Sequence, residues 1–333
     1  MANRIRGSVN PTGVRPNARL VRPILAGTFG AVLGCLAVLA LDLRVASSRP
    51  VIAFIPRTSG ANFAEDMRRG AEAAASQAGY QLYWNAPTRA DDTDRQIRIA
   101  ELAVNHGAKA LILAPTNPWG VTTLVDRLVA RKIPVVIVQT DSPVPTGPYV
   151  TSVSPDQKEF GRIAADRIAT ITGGSGQVAI IGLDRAKPET LERAQSFTQA
   201  IKAHPGIEIV AQTSGSIQTL EVELSTREIL SSFPNLKVLF AVSADAAQAA
   251  LLVLQDTQTA RKIAVVGCDR DWFLSDNLVD GTIDSLVTAN GYQIGYLAVQ
   301  AALDGTRGRS LEPPVRVGAV LLTRESILKE RSR

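Results

Sequence analysis

From Val51 onward, short apolar runs alternate with longer segments whose apolar residues return every three or four positions. The runs VIAFIP (51–56), YQLYW (80–84), KALILA (109–114), IPVVIV (133–138), QVAIIG (177–182), IEIVAQ (207–212), LKVLFAV (236–242), KIAVVG (262–267) and IDSLV (283–287) predict strands. The segments 61–78, 92–107, 118–131, 156–171, 189–204, 219–232, 244–256 and 290–304 predict helices. The strand runs lack strict alternation, as expected of parallel strands covered on both faces. Strands alternating with helices imply βαβ units with right-handed crossovers. So many strands exceed one comfortable open sheet, and DSPVPTGPYVTS (141–152) is dense in Pro and turn residues. A break there predicts two similar α/β halves. GGSGQ (173–177) reads as a turn directly before the first strand of the second half.

Open sheets of this kind bind ligands in the crevice outside the carboxyl ends of their strands. The residues just past the predicted strands are 57–63, 116–117, 139–142, 183–187, 243–245 and 268–271. The stretch VVGCDRD (265–271) shows the logic. An apolar, β-branched run ends in a thiol, two carboxylates and a guanidinium, groups that belong where a strand leaves the core.

Charge changes the picture only at the N-terminus. The chain of 333 residues carries a formal charge of +5, but residues 1–49 hold seven Arg and a single acid, Asp42. The remainder is nearly neutral and offers no electrostatic footprint for a polyanion. Within that tail, Ile24–Leu41 is an uncharged apolar run preceded by Arg15, Arg19 and Arg22. Three readings compete. Its length best fits an uncleaved membrane-spanning signal anchor, oriented by the positive residues with the rest exported. A cleaved signal ending at VLA (38–40) is the second, and a lipoprotein modified at Cys35 within VLGC (32–35) is the third. The anchor reading divides the N-terminus into a cytoplasmic tail 1–23, a transmembrane segment 24–41 and a tether 42–50.

Signals for catalysis are missing. No phosphate-binding loop, dinucleotide fingerprint or nucleophile elbow occurs. The two histidines, His106 and His204, fall near predicted helix C-termini, where dipole and capping roles are ordinary. The two cysteines, Cys35 and Cys268, allow no disulfide framework, and no ligand spacing indicates a metal. No cofactor, metal or enzymatic activity is expected. Cys268 reads as a small buried hydrophobe.

The stretches IAFIPRTSGANFAEDMRRGAEAAASQAG, DRQIRIAELAVNHGAKALILAPTNP, IPVVIVQTDS, SPDQKEFGRIAADRIA, LERAQSFTQAI, LFAVSADAAQAALLVLQ, VVGCDRD and GYQIGYLAVQAALDG resemble, in order, the type 1 periplasmic binding proteins. The likeness is to their ribose and related sugar-binding branch, from about Val51 to Ile327. It implies two Rossmann-like lobes joined by three chain crossings near Val153–Asp156, Ala289–Asn290 and Gly318. One lobe is then 51–154 with 290–318, the other 155–289 with 319–330. Carried over, the resemblance puts Phe63 on an aromatic that stacks on a sugar ring, with a core Phe at a helix start as the alternative. It puts Asp269 on a carboxylate that accepts from sugar hydroxyls, with a helix N-cap for the segment near Trp272 as the alternative. Ser243 corresponds to an Asn or Ser of the site.

The departures are Gln139 where the family commonly has Asp, Thr140 where it has Arg or Ser, Leu191 at a ligand Arg, and Ala289 at a Gln beside Asn290. Arg57, Arg185 and Arg270 stand at strand exits as compensating cations, Arg185 also fitting a solvated surface. The expected ligand-binding set is Arg57, Asn62, Phe63, Gln139, Thr140, Asp141, Ser243, Asp269, Arg270 and Asn290. The implied function is a membrane-tethered, extracytoplasmic solute-binding protein. It hands a monosaccharide or derivative to an ABC permease. The alternative is a ligand sensor for a membrane receptor or kinase. LacI-type repressors share the fold, but residues 1–49 show no helix-turn-helix, so no nucleic-acid partner is expected.

Overall fold

The computed structural model describes residues 49–332 apart from 59–61, 142–143, 216–218, 259–261 and 312. The run Ile24–Leu41, its basic tail and its tether up to Ser48 lie outside the described residues. Among the described residues, no helix is long and apolar enough to cross a membrane.

Twelve strands follow in chain order: β1 (Val51–Ile55), β2 (Gln81–Trp84), β3 (Ala110–Leu113), β4 (Val135–Val138), β5 (Val150–Pro155), β6 (Ser175–Leu183), β7 (Gly206–Ser214), β8 (Leu236–Ala241), β9 (Ala264–Cys268), β10 (Ser285–Ala289), β11 (Val315–Val317) and β12 (Ala319–Thr323). They form two six-stranded sheets of matching topology, β11-β5-β4-β3-β1-β2 and β12-β10-β9-β8-β6-β7. All neighbours pair in parallel except β10 and β12. The parallel sheets expected from the sequence are thus present, with one antiparallel edge strand added to the second. β10 ends at Ala289 and β12 starts at its partner Ala319, so the two run in opposite directions.

β5 lies in and beyond the stretch read as a break. Its sequence, VTSVSP, is fully buried, because short hydroxyl side chains fit between the two valines. The neighbouring loop residues Pro145 and Pro148 hid it. The apolar runs explain the remaining core. Ala53 and Ile55 of β1 face one cluster with Ile99, Leu124 and Val125, whereas Ile52 and Phe54 face another. That second cluster continues through Phe160 to Val178 and Phe240 of the other sheet.

The halves exchange helices. Helix Gln157–Thr172 follows β5 of the first sheet but packs on helix Pro188–Ala200 of the second half. Helix Gly291–Thr306 follows β10 of the second sheet but packs on helix Asn62–Gln77 of the first. The chain therefore passes between sheets at Asp156, at Asn290 and at Gly318. Asp156 and Asn290 are equivalent N-caps, accepting from the backbone N–H of Lys158 and of Gln293. At the third passage, Glu159 accepts from the Ala319 N–H at 2.9 Å.

Candidate functional site at the carboxyl ends of the strands

Asp269 is the first residue beyond β9, and its backbone is left-handed, at φ 68°. Its N–H still donates to the Val287 carbonyl of β10 at 2.8 Å, so the ladder turns the side chain out at the strand exit. Arg193, from helix Pro188–Ala200, grips both carboxylate oxygens at 2.8 and 3.0 Å. The Arg193 side chain is 4% exposed and that of Asp269 is 42% exposed, so the pair is buried on one side and open on the other. Arg193 also donates to Gln157 Oε1 at 2.8 Å and to the Val242 carbonyl at 2.9 Å. Its guanidinium lies 4.1 Å from the Phe160 ring centroid, a cation–π contact. Burial by itself lowers the Arg193 pKa, but the Asp269 carboxylate more than reverses this and holds the group above its ordinary value. Next door, burial pushes the Cys268 thiol up to about 12, so it stays protonated and unreactive.

β4 and β9 hold the same place in their sheets, and each is followed by a non-glycine residue with positive φ. The counterpart of Asp269 is Gln139, at φ 70°. Strained backbone of this kind costs about 1–3 kcal/mol and clusters at ligand sites. The other two positive-φ residues, Lys132 and Gln258, sit just past helix ends, where the left-handed turn is ordinary. Past Gln139, Thr140 is half-buried and donates to the Asp141 carbonyl at 3.3 Å. Asp141 itself pairs with Arg316 of β11 at 2.7 Å, and both bond Ser154 of β5. The hydrogen bond to Asp141 raises the Arg316 pKa from its ordinary value.

The other expected residues take distinct places. Arg57, two residues past β1, is exposed, yet its surroundings crowd it enough to lower its pKa, with Glu189 of the other half acting in the opposite direction. Asn62 opens helix Asn62–Gln77, and its side chain lies outside the described residues. Phe63 is half-buried against the core and against Gly291, the packing of its alternative role. Ser243 and Asn290 follow β8 and β10 and cap the next helices. Arg270 turns to Glu330 of the C-terminal helix, at 3.1 Å, and so clamps that helix. The N-cap near Trp272 is Asp271, which accepts from Leu274 N–H at 2.7 Å, so Asp269 is left without capping duty. A groove of about 510 Å³ runs between helices Gln157–Thr172 and Pro188–Ala200. It lies on their outer faces, and we place the site at the strand exits instead, where the strained backbone and the Asp269 pair sit.

The model of the periplasmic binding protein domain matches residues 52–310. The chain belongs to that family. A ribose import binding protein of Salmonella typhimurium is 25% identical over 284 residues, covering 84% of this chain and 93% of the relative. The D-ribose/D-allose-binding protein of Pseudomonas aeruginosa is 26% identical over 272 residues, covering 79% and 84%. Among solved structures, the arabinose-binding protein AraP of Geobacillus stearothermophilus superposes with a TM-score of 0.77 at 19% identity, covering 84% of this chain and 99% of that one, a likeness of fold.

Two residues of this periplasmic binding protein lie outside the ligand-binding set expected from the sequence. Arg193 is one, because its partner lies 76 positions away. Gln96 is the other. Fully buried, it donates to the carbonyls of Pro56 and Ala114 and accepts from Thr116 N–H, stapling the exits of β1 and β3 together. A buried Gln in a helix carries no signal of this in one sequence. Gln96→Leu should cost about 1–3 kcal/mol, because backbone groups lose their partner. A urea titration with an unchanged midpoint would remove Gln96 from that role.

Proposed function

We propose that this protein captures a small hydroxyl-rich ligand, a monosaccharide or close derivative, between its two halves and delivers it to an ABC importer. The halves, 51–154 with 290–318 and 155–289 with 319–330, act as lobes that close about the three crossings. The tail, with Ile24–Leu41 as anchor, tethers the domain to the membrane on its extracytoplasmic side. Curated relatives named for ribose and allose support the ligand class, and their naming as binding proteins supports capture without catalysis. The observation that carries the reading is the Asp269 carboxylate. It is preorganised by Arg193 on its buried side and leaves its open side to accept hydroxyls.

Arg57, Asn62, Phe63, Gln139, Thr140, Ser243 and Asn290 complete the proposed wall. Asp141 and Arg270 belong to it through the ion pairs that hold its edges. A thermal-shift panel of pentoses, hexoses, polyols, nucleosides and amino acids tests this. A ligand at about 100 times its Kd adds about 2.7 kcal/mol of stability. Asp269→Asn should weaken a sugar hit by about 10- to 150-fold, since hydrogen bonds to charged groups contribute about 1.5–3 kcal/mol. Silence of the folded protein across all sugars would sink the ligand class, and unchanged affinity in Asp269→Asn would take that residue out of the site.

A further inference from the structure

Three buried side-chain oxygens lack a hydrogen-bond partner among the described residues: Thr213 Oγ1, Ser285 Oγ and Asp184 Oδ2. Two are hydroxyls within strands. The third belongs to a carboxylate, for which burial without a partner costs far more. Asp184 follows β6 and is 9% exposed. Thr190 clasps its turn, accepting from the Asp184 N–H at 2.9 Å and donating to the Lys187 carbonyl at 2.8 Å. Asp184 Oδ1 accepts from the Ala186 N–H at 2.8 Å. The turn thus engages one carboxylate oxygen and commits nothing to the other.

Asp184 lines a cavity of about 10 Å³ at the exits of β6, β7 and β8, together with Lys187, Ser243 and Asp245. That volume suits one particle the size of a water molecule. Its charged walls are two carboxylates and one ammonium, a formal excess of one negative charge. Lys187 is committed to Asp245 at 3.0 Å and leaves Asp184 Oδ2 alone. Helices Pro188–Ala200 and Ala244–Asp256 start here, and their first turns favour carboxylates. Their leading N–H groups are spent on the Lys187 carbonyl and on Ser243, so none serves Oδ2. Ser243 Oγ and Asp245 Oδ1 add hard oxygen donors to the same wall. A water molecule would give Oδ2 a hydrogen bond but leave the excess charge, whereas a monovalent cation answers both. A divalent ion would overshoot that charge, and calcium takes more oxygens than these residues offer.

We infer that this cavity binds a single alkali-metal cation, sodium or potassium, through Asp184, with Ser243 and Asp245 as supporting donors. The ion ties the turn 184–187 to the exit of β8. That turn starts the helix that carries Arg193, so the ion also steadies the brace of Asp269. The inference needs neither a sugar nor any motion of the halves, so it stands apart from the proposed function.

Circular dichroism melts of the full chain in an uncharged detergent, without sugar, compare NaCl, KCl and choline chloride at one ionic strength. Sodium or potassium should raise Tm by about 2–4 °C over choline and saturate with concentration. Asp184→Asn should abolish the difference, since it keeps the shape of the side chain but not the charge. Lys187→Met should instead lower the half-saturating salt concentration by about two- to five-fold, because an opposing charge leaves the wall. This second variant removes no donor to the ion, so it reads the site even where Asp184→Asn fails to fold. Equal melting in all three salts overturns the inference and leaves a water beside Asp184. So does a salt difference that survives in Asp184→Asn, a Lys187→Met response no stronger than the parent's, or stabilisation by CaCl2 alone.

Discussion

Arg193→Ala should lower the free energy of unfolding by about 3–5 kcal/mol, the range for breaking a buried ion pair from one side. The guanidinium is almost fully buried, and it engages Gln157, Val242 and both oxygens of Asp269. Its removal strands the Val242 carbonyl, empties the space over Phe160 and leaves Asp269 charged at a strained backbone position. Three elements lose their common link to helix Pro188–Ala200 together: helix Gln157–Thr172 and the exits of β8 and β9. Against a typical total of about 5–15 kcal/mol, this is a large fraction. Chemical denaturation reads the change. Arg193→Lys should fall between, keeping the charge but losing the fork that matches a carboxylate. A loss below about 1 kcal/mol in Arg193→Ala would mean that the pair is far better solvated than its burial indicates.

Gly295→Ala should also destabilise, by about 2–3 kcal/mol, although alanine is the better helix former by about 1 kcal/mol. A Cβ at Gly295 would overlap the Met67 carbonyl, and one at Gly70 would overlap that of Tyr292. Helices Gly291–Thr306 and Asn62–Gln77 therefore touch backbone to backbone, and one methyl group must push them apart. The two helices come from opposite sides of a crossing, so the change also shifts the segment that leads into Asn290. Circular dichroism melts of Gly295→Ala test this, and an unchanged or raised Tm would show that the helices can separate at no cost.

Much of the fold was legible in the sequence, for a physical reason. A parallel strand covered on both faces must be apolar throughout, so β1, β3, β4, β8 and β9 announce themselves. β5 did not, because its pattern of Val with Thr and Ser satisfies burial through small hydroxyl side chains, which read as a turn beside prolines. β11, three residues with a central Arg316, is too short to carry a period. The strand exits placed Arg57, Gln139, Ser243 and Asp269 at the carboxyl edges of the sheets, because exits follow from strands. What each side chain does there was not legible. The left-handed turns at Gln139 and Asp269, the commitment of Arg270 to Glu330 and the Arg316 bond to Asp141 all depend on partners remote in sequence.

The exchange of helices has a consequence for synthesis. The first half includes helix Gly291–Thr306 and β11, so it lacks an outer brace and an edge strand until residue 317 has been made. A chain emerging from its N-terminus thus holds an unfinished first half, with the apolar faces of β3 to β5 uncovered, while the entire β6–β10 region is still being added. Neither half can be cut out as one continuous piece. A nascent chain halted at residue 280 would carry exposed apolar surface in both, which makes it a natural client of holding chaperones.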